Sequence, residues 1–565
     1  MENFTKSVYE AVLKNKNIEE INEVAPYAYT TSEKNVLVYL SVANNFTRAV
    51  VTLGSSKTVP KAVNRALASY RKHNHSNLPP VSVKIDIVTN VFAKSAEGKR
   101  MNVKKDEIEH ETGKEGIAFS KDFRISFLPE EVEAYDMIKN KLIKKENVFA
   151  AFEKHFLLFD QQSVKSFLTN EFMDVYSFHT EAHYYDDNGY TPLIRGHRMY
   201  DKLTRNLLLD SIQLAKDNYF KQAVNNKGKI VYAYQPQDGS QTTGYNILRH
   251  AGTVYSMLEV YEQMPDENLL KASKRAIKFL LSKIKNITIN NKEALAVVEK
   301  DACKLGGNAL AVIALCKYTE LSGDKQYLPI MQKLALWMVE SQDKTGKFAV
   351  HKQIFSTGKV TDFVSHYYPG EAILSLVRLS KVDGDSRWLD AAENEAKYLI
   401  NRRDKNETKE TVAHDHWLLY GLNELYRERA NEIYVTHSFF IADAIAESQR
   451  TDRKEHDKEW IGSYKSKLIP ASTPVACRSE GLGAAYQLAV YKDRNDLAEK
   501  YKSAVDLGIR FQLQMQLRPE SVMYYVNKKL CLGAFQGGLH KYELRNDYTQ
   551  HNISSIIAYS NILQS

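Results

Sequence analysis

From about residue 203 to the C-terminus, apolar positions recur every three to four residues, and short runs of Gly, Pro, Asn and Asp break the stripes. That period predicts amphipathic helices rather than strands. Twelve are expected, at about 203–220, 246–264, 266–285, 306–321, 325–342, 368–382, 386–402, 414–428, 430–449, 479–493, 495–515 and 549–563. Twelve helices make six hairpins, and the interval between hairpins, roughly 50–70 residues, reads as an irregular repeat.

Residues 1–160 follow a different pattern. Segments 36–42, 49–53 and 81–91 are rich in β-branched residues or alternate with period two, 60–72 has the helical period, and 116–119 with 123–128 reads as a short hairpin. This predicts a smaller α+β domain. It contains no Gly-rich phosphate loop and no clustered His or Cys, and it suggests no function. Residues 161–202, aromatic-rich and polar, are expected to form a linker or a lid, with 203–565 as the helical domain.

Within each hairpin the two helices differ. One is followed by turn-rich, strand-like text. The other opens on a short polar motif and continues in small or aliphatic residues: NILRHAGT at 246, KLGGNALAV at 304, HYYPGEAIL at 366, HDHWLLYGL at 414, CRSEGLGAAY at 477 and DYTQHNISS at 547. Helices lined with Gly and Ala can approach closely, which suits an inner ring. Their N-termini present unpaired N–H groups and a positive dipole end, which favour polar or anionic groups. Six parallel inner helices would bring all six motifs to one mouth. This text resembles the (α/α)6 toroids, in particular the six-hairpin glycosidases and the N-acylglucosamine 2-epimerase group. The resemblance covers about 360 residues, from Leu203 onward, and lies in the architecture and the style of the motifs. It implies a mainly α fold, a C-terminal (α/α)6 toroid with a smaller N-terminal α+β domain, and sugar chemistry.

Composition narrows this further. The four cysteines, Cys303, Cys316, Cys477 and Cys531, form no CxxC and none neighbours a His, so they read as reduced thiols. The N-terminal text has no apolar run of signal-peptide length, and no segment has 18 uncharged apolar residues, so a cytoplasmic protein without membrane insertion is expected. The net charge of +8 comes from 77 Lys+Arg interspersed with 69 Asp+Glu rather than from a basic stripe, which argues against a nucleic-acid partner. An anionic small-molecule or oligosaccharide substrate is compatible with that charge. No cofactor is expected. No metal is expected either: His414 and His416 are adjacent but one, which would separate them on a helix, and no third His lies at ligand spacing, although distant motifs can supply one.

The motifs supply the candidate residues. Asp362 precedes a helix start in which Pro369 suits the first turn; His366, Tyr367, Tyr368 and Glu371 follow it. His414, Asp415, His416 and Trp417 combine ionisable groups with a ring that can stack on a sugar, while Asp415 also reads as a helix cap. Arg478 and Glu480 flank Ser479, a natural N-cap, and either pair on the rim or, for Arg478, clamp a carboxylate or phosphate. Tyr548, His551 and Asn552 open the last helix, and Arg249 and His250 the first. Ring closure would make His250 and His551 neighbours.

Two chemistries fit. Glycoside hydrolysis needs a carboxylic acid and a carboxylate, for which Asp362, Asp415, Glu371 and Glu480 are candidates, with Asp362 or Asp415 favoured as acid/base. Tyr367, Tyr368, Trp417 and Tyr548 would stack on the sugar. Epimerisation or isomerisation needs groups that take and return a proton beside a carbonyl, for which His250, His366, His414, His416 and His551 are candidates. A carboxylate pair flanking the deepest pocket would favour the first, and two facing imidazoles the second. A helical scaffold that binds a partner on its concave face is the non-enzymatic alternative, and it would spread polar residues along the helices.

Overall fold

The computed structural model describes residues 1–18, 35–73, 78–95, 99–155, 161–466 and 468–564. They divide into two units. Unit 1 comprises Met1–Met199, Gln235–Ser240 and Leu517–Leu532; unit 2 comprises Tyr200–Tyr234, Gln241–Gln516 and Gly533–Ser565.

Unit 1 is built on an antiparallel sheet whose main path runs Val50–Ser56, Val36–Ala43, Ser82–Ala93, Tyr176–Asp186, Gly116–Ala118 and Ser126–Phe127, with Gly189–Leu193 also paired to Tyr176–Asp186. The helices Glu2–Leu13 and Val59–His73 bury their apolar stripes, including Val8, Val63 and Leu67, with Val38, Leu40 and Ile85 of the sheet. The α+β character and the strands expected in the first 160 residues are present. The expectation of a linker or lid over 161–202 is corrected. Its aromatic text alternates with period two because Tyr176–Asp186 is an interior strand, burying Phe178, Ala182 and Tyr184. The late segment Leu517–Leu532 completes the same unit. Arg198 forms a two-pronged ion pair with Glu520 (2.6 and 3.1 Å), Tyr524 shares a hydrogen bond with Ser41 (2.9 Å), and Arg48 donates to the Tyr524 carbonyl (3.0 Å).

Unit 2 is an (α/α)6 toroid. Six inner helices, Ile247–Gln263, Leu305–Ser322, Tyr368–Asp383, His416–Glu428, Ser472–Tyr491 and Asn546–Ile562, each pack on the next, and the last packs on the first, closing the ring. Each has an outer partner: Arg205–Leu214 on the last, and Glu267–Leu281, Leu328–Glu340, Ser386–Tyr398, Glu432–Glu447 and Asn495–Leu513 on the first five. Local chemistry sets the boundaries. The side chains of Asn246, Asp266, Asp385, Asp415 and Asn431 accept from first-turn amides, and Gly323 and Gly384 end helices in the left-handed conformation (φ 69° and 76°). One start differs from expectation. The fifth inner helix begins at Ser472 rather than 479, because Pro474 fits its first turn. Ser479 therefore lies inside the helix, where it accepts a hydrogen bond from Gln512 (2.8 Å).

Small residues set the ring's diameter. At the junctions between inner helices, Gly252 faces Gln550, Gly306 faces Tyr368 and Glu371, Gly370 faces the backbone of Trp417 and Leu418, and Gly481 faces His416 and Leu419. No described helix is long and apolar enough to cross a membrane.

Candidate active site

The inner helices deliver their N-terminal portions to one chamber of about 960 Å³. All six contribute to its wall: Arg249 from the first, Leu310 from the second, Tyr368 and Glu371 from the third, His416 and Trp417 from the fourth, Cys477 and Arg478 from the fifth, Tyr548 and His551 from the sixth. The common mouth that the motifs implied is thus formed within unit 2. His366, Tyr367 and His414 also line it.

Five of the expected site residues lie elsewhere. Asp362 is exposed and not on the chamber wall, because the loop that carries it turns outward before the Tyr368–Asp383 helix begins. Asp415 is fully buried as an N-cap, its Oδ1 accepting from Leu418 N (3.1 Å). His250 is buried between Tyr245, whose hydroxyl bonds Nδ1 (2.7 Å), and the Ala276 carbonyl, which bonds Nε2 (2.9 Å). It does not pair with His551; ring closure joins Arg249 to Asp547 (3.1 Å) instead. Asn552 is buried and donates to the Tyr548 carbonyl (2.7 Å). Glu480 stands directly behind the wall.

Glu480 organises the densest cluster. Its Oε2 lies 3.0 Å from His551 Nδ1 and 3.5 Å from His416 Nε2. The two imidazole rings are 5.3 Å apart and nearly perpendicular (83°), with the Trp417 ring 4.9 Å from His416 and 6.3 Å from His551. Neither nitrogen of His416 has a hydrogen-bond partner, so the 3.5 Å approach to Glu480 is a contact and not an ion pair. Burial, reinforced by the nearby charges of His551 and Arg478, pushes His416 well below the usual imidazole range. Burial also acts against charge on His551, but Cys477 and Glu480 override it and hold His551 well above that range. Burial raises Cys477 too, and His551 draws it back, so the three groups share their protons closely. Glu480 itself is raised by burial and drawn back by His551, to about 7.

The ligand-type atoms of His416, Cys477, Glu480 and His551 all lie within 4.8 Å of one another. These are donor types that a zinc-like cation accepts, and the third and fourth donors come from motifs far away in sequence.

Glu371 is the other unusual group. Its side chain is buried against Gly306 and Oε2 has no hydrogen-bond partner. Burial, then the neighbouring Asp415, raise its pKa from 4.5 to about 8, with His551 acting against them. The folded state therefore holds a proton that the unfolded chain releases, and stability declines as pH rises from about 4.5 to 8. Glu371→Gln removes this cost. Its melting temperature should fall less steeply than that of the wild type between about pH 5 and 8, with a gain on the order of 1–3 kcal/mol at the alkaline end. Calorimetry across that range checks it, and parallel wild-type and variant slopes would refute the buried acid.

Several wall residues were not anticipated. Arg545 and Asp547 form a two-pronged pair (2.5 and 2.9 Å), and Lys541 comes from the adjoining strand Lys541–Arg545. Cys477 reads in the sequence as a reduced thiol that opens the CRSEGLGAAY motif. The one available signal for Arg545 and Asp547 was their position within and beside the DYTQHN motif.

No family model matches the chain, and no curated protein matches it. Among solved structures it is similar to a D-mannose isomerase (11% identity, TM-score 0.49), covering 64% of this chain and 100% of that one. It is also similar to cellobiose 2-epimerase from Spirochaeta thermophila DSM 6192 (13%, 0.47; 64% and 98%) and to the GH76A alpha-1,6-mannanase from Salegentibacter sp. HEL1_6 (13%, 0.44; 64% and 100%). At such identities no residue role passes from those proteins to this one.

Proposed function

We propose that the toroid is a carbohydrate-active enzyme that isomerises or epimerises a sugar at its carbonyl end by proton transfer between His416, His551 and the substrate. The observation that carries this reading is the pair of imidazoles on the chamber wall, in contact with each other and biased toward opposite protonation states. A general base must be deprotonated and a general acid protonated at the same pH, and neighbouring environments that push two like groups apart supply that.

His416, neutral, takes the proton from the carbon beside the carbonyl. His551, protonated and held by Glu480, gives its proton to the carbonyl oxygen, and the electron pair left by the C–H bond forms the enediol. Return of a proton to the neighbouring carbon, or to the other face of the same carbon, completes isomerisation or epimerisation. Trp417 and Tyr548 offer faces for the sugar ring, and the volume admits a mono- or disaccharide.

The placement of the carboxylates weighs against the hydrolytic alternative. Asp362 lies off the wall and Asp415 is committed to capping; of the other wall carboxylates, Asp547 is held by Arg249 and Arg545, and Glu410 is exposed and accepts from Thr408, so none stands paired with Glu371 to activate water.

Incubating the protein with aldoses and ketoses in D2O tests the proposal. The expected result is interconversion with deuterium at the carbon next to the carbonyl, read by NMR. Release of a sugar from a glycoside without exchange would sink it. Prior dialysis against a chelator should leave turnover unchanged; a loss restored by zinc would assign the four-residue cluster to a cation instead.

A further inference from the structure

The charges around the chamber are unequally compensated. Arg249, Arg478, Lys541 and Arg545 line it, against the carboxylates of Asp547 and Glu410. Glu371 is held protonated and adds no negative charge at neutral pH. Two guanidiniums share Asp547: Arg249 at 3.1 Å and Arg545 by two contacts. Lys541 has Glu543 at 3.6 Å, while Glu410 is exposed and accepts from Thr408.

Arg478 is the exception among these cations. Its Nε donates to His414 Nδ1 (2.8 Å) and its Nη1 to the Pro474 carbonyl (3.0 Å). To accept at Nδ1, His414 must be neutral, and burial together with Arg478 depresses its pKa to about 4. Among the described residues, no carboxylate pairs with Arg478. Its guanidinium is oriented by two neutral acceptors and by the Tyr464 ring at 4.8 Å, so its position is fixed while its charge is not offset. The same chamber is also lined, five residues earlier in the helix, by Thr473, whose Oγ1 is buried without a partner. A planar, pre-oriented guanidinium suits an oxyanion with two or more oxygens, and the chamber holds an unused hydroxyl besides.

We propose that the substrate is an anionic sugar, carrying a carboxylate or a phosphate, and that Arg478 is the partner of its anionic group; this rests on the chamber being the substrate site proposed above. The anion would sit beside the fifth inner helix, one helix away from the ring closure where Arg249 and Arg545 raise the local potential. The remainder of the sugar would extend toward His416 and His551.

Calorimetric binding to the full chain tests this with three polyols that cannot be isomerised: sorbitol, gluconate and sorbitol 6-phosphate. At least one anion should bind about tenfold or more tightly than sorbitol, and the advantage should shrink as salt is raised. Gluconate against sorbitol 6-phosphate tells carboxylate from phosphate. Arg478→Gln should remove most of the advantage while changing sorbitol binding by less than about threefold, and Arg478→Lys should keep part of it. Lys541→Gln, at an exposed position where folding is not at stake, should reduce the advantage by about two- to threefold. Equal affinity for all three polyols, an advantage that survives Arg478→Gln, or no binding of any would overturn the proposal. Because these probes do not react, His416→Asn should leave the preference intact, so failure of the proton-transfer reading and failure of this one remain distinguishable.

Discussion

His551→Gln should lower kcat on the sugar identified by the exchange assay by about 10²–10⁴-fold and leave KM within a few-fold, the range expected for loss of one general acid. Glutamine keeps a donor near Glu480 but cannot deliver a proton. His416→Asn should cost a similar factor. The double variant should be barely worse than either single one, because the two groups act as a unit and their effects do not add. Glu480→Gln is the informative companion. It leaves a hydrogen-bonding side chain 3.0 Å from His551 but removes the counter-charge, and Glu480 is a positioning residue that does not reach the chamber wall. Its effect should therefore fall mainly on kcat and be smaller than that of His551→Gln. Melting temperatures of all variants within a few degrees of the wild type would separate chemistry from folding. Retention of more than about a tenth of wild-type kcat by His551→Gln would remove the acid from the mechanism.

The largest stability effect is expected at a glycine. Gly370→Ala would place a methyl group against the backbone of the neighbouring inner helix, well inside contact distance of the Leu418 nitrogen and 2.8 Å from the Trp417 carbonyl carbon. Backbone cannot rotate away as a side chain does, so one of two packed helices must shift. Overpacking of this kind costs about 3 kcal/mol or more, or roughly 5 °C in melting temperature for a unit of this size. Gly421 sits at the same crossing, against Ile373, and confirms how closely the two helices approach. The shift would also move His416 relative to His551, so residual activity should fall further than the folded fraction does. Gly323→Ala, at a helix end with no atom within 4 Å of the added methyl, is the control for backbone strain without collision. If Gly370→Ala melted with the wild type, the ring would be looser than the geometry requires.

The toroid was legible because its information is local. Period, caps and small-residue seams located the twelve helices, and the polar openings of the inner set marked the chamber. Where the reading went astray, the deciding contact was distant in the chain. The text of 161–202 suggests a linker or lid because the partners of Tyr176–Asp186, Ser82–Ala93 and Gly116–Ala118, lie about sixty residues or more away. Ser479 looks like a cap because a Ser before Glu and Gly fits that pattern, while the true first turn, Ser472-Thr473-Pro474, follows Ala471, which has no side chain that can cap. His250 and His551 each open a helix at the ring closure, but a helix face decides which neighbour a side chain meets. His250 turns outward to Ala276, and His551 meets Glu480. No spacing rule places Glu480 between His416 and His551, since three different inner helices bring them together.

Leu517–Leu532 is made roughly three hundred residues after Met199, yet it supplies Glu520 to Arg198 and Tyr524 to Ser41 in the same unit. The first two hundred residues therefore emerge from the ribosome unable to finish their own interior. They must wait, incomplete, while nearly the whole toroid is translated. Chain termination before Leu517 would thus leave the first unit incomplete as well as removing the last inner helix of the ring, tying the integrity of one unit to translation through the other.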